Sequence, residues 1–329
     1  MEESRQTQEI SDKAVRHVLA YAGIWFAVIA WGASFVAARV LLHAASTKQA
    51  SLSPTVLAAL RFSIASLFFV LPLGIAIVRR QISLRHLVQM AFLGQIAFSL
   101  YFWLQYTGVQ KTNASISSIL VVGLIPAATA FLSQYMGKER LSLATLGALL
   151  LGFFGVTMIV LQQQIQVVQT SDFLFGAVCL VGNAFAFAAY SNLSKRWMQG
   201  ISPLIMTGGT MISGAIGLLL LSLVDPVNNR WADIARLDPV QWLALFFLAL
   251  GCSVIAYFVY NFALTRIDAS RAAVYIYFEP VVAVLLGVTL LGESLSWQTI
   301  SGTVAIGVSV AIVNLVKLRG KKSEVKKTS

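Results

Sequence analysis

With 329 residues, 58% of them hydrophobic and 11% charged, and a mean hydropathy of +0.79, the chain is excluded from the water-soluble globular class, where charged residues make up about 25%. The net charge of +11 gathers at the chain ends and in short connectors, which excludes a nucleic-acid-binding face and points to membrane topology. Cys179 and Cys252 both lie in apolar runs, leaving no disulfide framework and no cysteine metal site.

The chain begins with a polar stretch, 1–18, containing Glu2, Glu3, Glu9 and Asp12. No small-residue cleavage pattern follows the first apolar run. That run therefore reads as a retained helix rather than a secretory signal. Ten apolar segments follow in order: 19–41, 55–78, 86–107, 113–135, 142–161, 173–194, 203–224, 240–263, 271–291 and 297–317. Each suits a hydrocarbon core of roughly 30 Å. Most connectors are short, so sequential helices pack as antiparallel neighbours. The longer ones, 42–54, 162–172 and 225–239, are too small for a soluble domain.

Lysines and arginines set the orientation. With the N-terminus inside, eighteen of them fall in inner segments and five (Arg39, Lys48, Lys111, Arg230 and Arg236) fall outside. Arg61 stands alone within the second helix. This bias holds for every inner connector and predicts cytoplasmic termini.

The halves echo one another. Pro126 precedes an apolar run, Gly137-Lys138-Glu139 and Leu141-Ser142. Pro280 precedes another such run, Gly292-Glu293 and Leu295-Ser296. Ser53-Pro54 and Ser202-Pro203 open the second and seventh helices. Five helices per half is an odd number, so the halves cross in opposite senses, the inverted-repeat plan of many transporters. The expected fold is an all-α membrane protein of ten transmembrane helices in two inverted five-helix repeats. Repeats at 19–161 and 173–317 are flanked by tails 1–18 and 318–329 and joined by an outer connector, 162–172.

At Trp31-Gly32-Ala33-Ser34-Phe35, Leu60-Arg61-Phe62 and the paired Pro126…Glu139 and Glu279-Pro280…Glu293 phrases, the chain resembles the drug/metabolite transporter superfamily, specifically its EamA-type members. The likeness covers about residues 20–317. It implies a central cavity lined mainly by helices one to four and six to nine, with five and ten more peripheral. It implies transport of a metabolite, often outward, without naming the solute. Lys138, between Gly137 and Glu139, departs from the adjacent Gly292-Glu293 of the second copy.

Among candidate residues Glu279 is the most informative. It lies about eight residues, roughly 12 Å, from the inner end of its helix, where a carboxylate facing lipid is costly. It is suited to proton or substrate coupling, or to anchoring a neighbouring helix beside the Pro280 kink. Tyr275, one turn earlier, is a potential partner on the same face. Arg61, six residues below the outer end, either snorkels outward or faces the cavity to meet a carboxylate. Pro126 and Pro280 break main-chain bonds in mid-membrane and read as hinges or as plain packing kinks. Glu139 and Glu293 read as turn and cap residues.

Thirty-six aromatic residues serve as interfacial belt or core. Trp25, Trp231, Trp242 and Trp297 sit near interfaces. Trp31, Tyr101, Trp103, Tyr106, Tyr257 and Tyr260 lie deeper, where a cavity-facing subset would suit an aromatic or amphipathic solute. Gln95, Gln105, Asn183, Asn192 and Asn261 need partners in hydrocarbon, and Gln95 and Asn183 are expected at the cavity by depth. Small-residue ladders Ala144-Ala148-Gly152, Gly209-Ser213-Gly217 and Ser301-Ala305-Ser309 permit close helix approach, within the chain or in a homodimer. His17, His43 and His86 are not at ligand spacing, so no metal or other cofactor is expected. The expected partners are a small-molecule substrate and membrane lipid, not nucleic acid.

The reading is a secondary transporter working by alternating access. No GxxxxGK[ST] loop is present to hold a nucleotide. The rival class, a membrane enzyme acting on lipid or isoprenoid, needs acids or histidines clustered at a membrane face. Here Asp225, Asp233 and Asp238 are dispersed over an outer connector. A receptor or structural protein would need neither a buried Glu279 nor a duplicated plan.

Overall fold

A computed structural model describes residues 2–42, 51–111, 114–136, 141–161, 171–197, 199–224, 231–291 and 296–328, with side-chain surroundings between 15 and 316 apart from scattered positions. Glu139 and Glu293 lie outside the described residues, and Tyr106 outside the described side chains.

The described residues form ten rods and a short 3₁₀ helix, Trp231–Arg236, on the connector before the eighth rod. The rods are α1 (Glu2–Leu42), α2 (Pro54–Val78), and α3, running from Leu84–Gly94 through a π-helical stretch Gln95–Leu100 into Tyr101–Lys111. Next come α4 (Ala114–Tyr135), α5 (Leu143–Leu161), α6 (Ser171–Trp197) and α7 (Pro203–Val224). Helix α8 likewise joins Pro239–Phe246, a π stretch Phe247–Ile255, and Ala256–Leu264. In α9, Ala269–Val274 tightens to a 3₁₀ turn, Tyr275–Phe278, before Glu279–Leu291, and α10 is Trp297–Thr328. Eight of the rods are long and apolar enough to cross a membrane, and α4 and α5 are shorter apolar helices by the same measure.

Local chemistry fixes the starts. Ser53 accepts from the Val56 N–H, with Pro54 in the first turn. There its missing N–H costs nothing. Ser83 with His86, and Asp238 with Gln241, form reciprocal capping boxes at α3 and α8. His86 is thus a cap. Gly200, at φ +84°, closes the α6–α7 turn in a region other residues avoid.

Pro126 and Pro72 are embedded in unbroken helices, while Pro280 directly follows the 3₁₀ turn of α9. Of the two echoed prolines, Pro280 alone has a 3₁₀ turn described just before it.

The packing comes in matched pairs. Equivalent helices of the two halves meet: α2 with α7, α4 with α9 and α5 with α10. Contacts of α1 with α8 and α9 are mirrored by those of α6 with α3 and α4. Small residues, those of the ladders and the neighbouring Gly155 and Gly302, let the helices approach closely. A Cβ on Gly155 would stand 2.7 Å from the Gly302 carbonyl oxygen. One on Gly152 would run into the Tyr277 ring, and one on Gly209 into the Met90 sulfur. Ser309 donates to the Ala148 carbonyl.

Candidate functional site

One end of the bundle carries Arg79, Arg80, Arg85, Lys195, Arg196, Arg266 and Arg271 in or beside its connectors, and we refer to it as the basic end. Polar rungs tie the helices there. The Lys195 ammonium meets the Asp268 carboxylate and the Ile267 carbonyl, each at 2.8 Å. Asn261, fully buried, donates to the hydroxyls of Tyr190 at 2.7 Å and Thr207 at 2.9 Å. Ser191 bonds Tyr260 at 3.0 Å, and Ser133 donates to Asn192 at 2.6 Å. From Ala269 to Tyr277 every side chain is buried.

Above this floor sits an aromatic cluster from five helices. The Trp31 ring of α1 lies 5.2 Å from Tyr257 and 5.4 Å from Tyr260 of α8, and 6.2 Å from Phe187 of α6. Tyr257 continues to Phe98 at 5.1 Å, and Phe98 to Phe62 at 4.7 Å. Tyr101 packs on Phe102 and Phe187. These tilted and edge-on arrangements are those favoured by ring quadrupoles.

The π stretch of α8 frees the backbone that orients this cluster, since a wide turn leaves carbonyls off the regular ladder. The Cys252 carbonyl accepts from the Trp31 indole at 3.0 Å, and the Cys252 thiol donates back to the Ala30 carbonyl at 3.1 Å. Ser253 bonds the Leu248 carbonyl five residues earlier and accepts from Arg61 Nε at 2.7 Å. Arg61 is therefore directed across the bundle to α8, with its guanidinium 4.9 Å from the Phe62 ring centre.

Glu279 is 9% exposed, and its carboxylate has no hydrogen bond or ion pair among the described residues. It lies within electrostatic reach of Cys252, Tyr257 and Tyr260. Its own carbonyl faces Gly32, where a Cβ would approach it to 2.8 Å. Asn183 is fully buried and donates to the Tyr101 carbonyl at 2.7 Å, while its own side-chain oxygen has no partner.

The structure thus gathers Trp31, Arg61, Tyr101, Asn183, Tyr257 and Glu279 around one level of the bundle. It sets two sequence candidates apart. Gln95 is exposed and bonded to Ser213 of α7 at 2.7 and 2.9 Å, so it joins two helices. Tyr275 turns from Glu279 toward α1 and α10, packing on Tyr21 and Trp25 and accepting from Asn314 at 3.2 Å. Trp25, expected at the interface, closes over Tyr275 and Phe278. Ser253 and the Cys252 carbonyl carry no sequence signal, because only the wide turn gives them their roles.

The halves also match a known family. The EamA-like transporter family model covers residues 18–161 and again 174–315. The chain belongs to the EamA-like transporter family. It is 26% identical over 86% of its length to an uncharacterized transporter of Archaeoglobus fulgidus, of which that alignment covers 94%. It is also similar to the uncharacterized transporter YcxC of Bacillus subtilis, at 25% identity over 86% of this chain and 89% of the relative. A third relative is the uncharacterized inner membrane transporter YedA of Escherichia coli, at 26% over 92% of both. A solved crystal structure superimposes with a TM-score of 0.72 over 91% of this chain and 98% of the other, at 19% identity; this likeness speaks to fold. Duplicated family repeats and eight spanning-length apolar helices make this EamA-like protein a multi-pass membrane transporter.

Proposed function

We propose that this EamA-like protein is a ten-helix secondary transporter of the cell membrane. Its two five-helix repeats cross in opposite senses, with both termini and the basic end cytoplasmic. It carries a small organic solute outward by alternating access between the repeats, and Glu279 couples the movement. The observation that carries this reading is the Glu279 carboxylate, 9% exposed and, among the described residues, without a hydrogen-bond or salt-bridge partner. A carboxylate held this way costs a few kcal/mol in a membrane. That cost is offset when it binds a cation, a proton or a solute group during the cycle.

Arg61, Asn183 and the aromatic cluster supply the remaining recognition: a cation reaching across from α2, an unused acceptor, and flat rings. The tied basic end fits a state closed on the cytoplasmic side, with loading to follow when the Lys195–Asp268 and Asn261–Tyr190–Thr207 rungs part. The matched pairing of α2–α7, α4–α9 and α5–α10 is what a twofold axis in the membrane plane would give.

The test is a comparison of metabolites inside and outside cells with and without overexpression, followed by transport of the enriched solute in reconstituted vesicles. We expect Glu279→Gln to leave folded protein in the membrane and to lower coupled export at least tenfold. An unchanged rate with an unchanged pH dependence would remove the coupling role.

A further inference from the structure

Arg271 opens α9 at the basic end and is 7% exposed. One of its terminal nitrogens, Nη1, donates to the Tyr21 hydroxyl of α1 at 3.1 Å. The other two, Nε and Nη2, are buried and have no hydrogen-bond partner. A guanidinium stays charged at any physiological pH, so these are donors of a permanent cation. They are also the pair along one edge of the planar fork, whose parallel N–H bonds match the two oxygens of a carboxylate or a phosphate.

Among the described residues no carboxylate pairs with this edge. Asp268, one turn away, is engaged by Lys195 at 2.8 Å. Tyr21 fixes the fork from behind. Tyr275 stands one turn further along α9, with its hydroxyl accepting from Asn314 and its ring 6.1 Å from Tyr21. Glu279 lies beyond the 3₁₀ turn that directs Tyr275 to α1 and α10, so the carboxylate belongs to the site above and not to this edge.

We propose that Arg271 is an oxyanion-binding station at the basic end, taking the carboxylate or phosphate of an anionic solute by its Nε–Nη2 edge when that end opens. Tyr21 acts as a positioning residue that holds the edge toward the ligand. The proposal rests on the transporter reading and narrows its solute to organic anions. An anionic lipid headgroup offers the same oxyanion chemistry from a different source.

The full chain in phosphatidylcholine nanodiscs, which hold no anionic lipid, is titrated with inorganic phosphate and with succinate against chloride at equal ionic strength. Binding is read from tryptophan fluorescence, to which Trp25 beside Tyr275 contributes, and from thermal shift. The expected result is a saturable isotherm for phosphate or succinate but not for chloride, weakened at least tenfold in Arg271→Gln. It should also weaken in Arg271→Lys, which keeps the charge and loses the fork. Tyr21→Phe keeps the ring packing, tests the same point should Arg271→Gln fail to fold, and is expected to weaken binding severalfold.

Equal isotherms in wild type and either folded variant would overturn the station, as would no saturable response in wild type. An Arg271-dependent thermal shift seen only on adding phosphatidylglycerol would assign the edge to lipid and overturn the solute. Because binding is read without transport, export that survives with no anion binding sinks this inference and leaves the transporter reading standing. Binding without export does the reverse.

Discussion

The α1–α9 crossing offers the sharpest test of the packing argument. A Cβ added to Gly32 would stand 2.7 Å from the Val282 Cβ and 2.8 Å from the Glu279 carbonyl oxygen. Carbon atoms rest at about 3.5–4.0 Å, so Gly32→Ala must part the two helices by roughly 0.7 Å or more. Neither obstacle is the free end of a flexible chain, so the strain falls on backbone. Overpacking of this kind costs about 1–3 kcal/mol. The same displacement carries Trp31, the next residue on α1, away from the Cys252 carbonyl, which leaves little margin beyond its 3.0 Å bond. Gly155→Ala is the control. Its Cβ would meet the Gly302 carbonyl at 2.7 Å, an equivalent clash far from the aromatic cluster. Thermal unfolding in detergent should fall for both variants, while solute export in vesicles should fall severalfold more for Gly32→Ala. A Gly32→Ala protein that melts with wild type would refute the geometry. Equal export by the two variants at equal stability would refute the link to the site.

The other predictions concern the rungs and the cation. Asn261→Ala leaves the Tyr190 and Thr207 hydroxyls facing a gap in the buried floor and should destabilise by about 1–3 kcal/mol, read as a lower unfolding midpoint; an unmoved midpoint would show that the network contributes little. The Lys195–Asp268 pair is 24% and 37% exposed, so a double-mutant cycle with Lys195→Met and Asp268→Asn should return a coupling of only about 0.2–1 kcal/mol, shrinking with salt; several kcal/mol would mean a far drier pair. Arg61→Lys keeps the charge but loses the Nε bond to Ser253, and the loss of about 1 kcal/mol of orientation should raise KM for the solute by roughly fivefold. An unchanged KM would place Arg61 outside the path.

Hydropathy located the ends of the apolar rods within the chain, because those windows are set by bilayer thickness and not by tertiary detail. At the chain ends it fell short: α1 begins at Glu2 and not at 19, and α10 runs on to Thr328 and not to 317, so polar helix continues into the expected tails 1–18 and 318–329. The echo of Pro126 and Pro280 pointed to duplication for a similar reason, since a helix-breaker in mid-run stands out. Azimuth was not legible. Gln95 and Asn183 sit at comparable depth, yet one bonds α7 on an exposed flank and the other is fully buried against Tyr101. The π stretches decide much of this, because each wide turn rotates all that follows relative to a regular helix. The 3₁₀ turn that begins at Tyr275 breaks the one-turn stripe a regular helix would have it share with Glu279. Arg271 was read as a topological charge, and its unpaired edge emerges only once Tyr21 is seen to hold the other nitrogen.

The duplication extends to backbone devices but not to charge. In α3 and α8 the wide stretch ends seventeen residues beyond the N-cap, Ser83 to Leu100 and Asp238 to Ile255, so the irregularity belongs to the repeated unit. Its uses differ: in α3, Gln95 and Ser99 bond α7, while in α8 Cys252 and Ser253 hold Trp31 and Arg61. Aligning Pro126 with Pro280 sets Ile125 against Glu279, and Ser117 against Arg271. Ile125 is 3% exposed and needs no partner, whereas Glu279 in the corresponding place of α9 needs one and has none among the described residues. On the proposed alternating-access reading, a symmetric scaffold would have two states of nearly equal packing, related by exchanging the roles of the halves. Arg61 on α2 and the charged groups of α9 break that equivalence, so the energy difference between such states would depend on what occupies them. If this is right, transplanting the acid by Ile125→Glu with Glu279→Ile should preserve the folded bundle, whose crossings are set by glycine and proline. It should abolish coupled export, because Trp31, Arg61 and Tyr257 remain around the vacated position on α9. Export at wild-type rate from the exchanged protein would mean that the acid acts through the scaffold's symmetry and not through the neighbours assembled around Glu279.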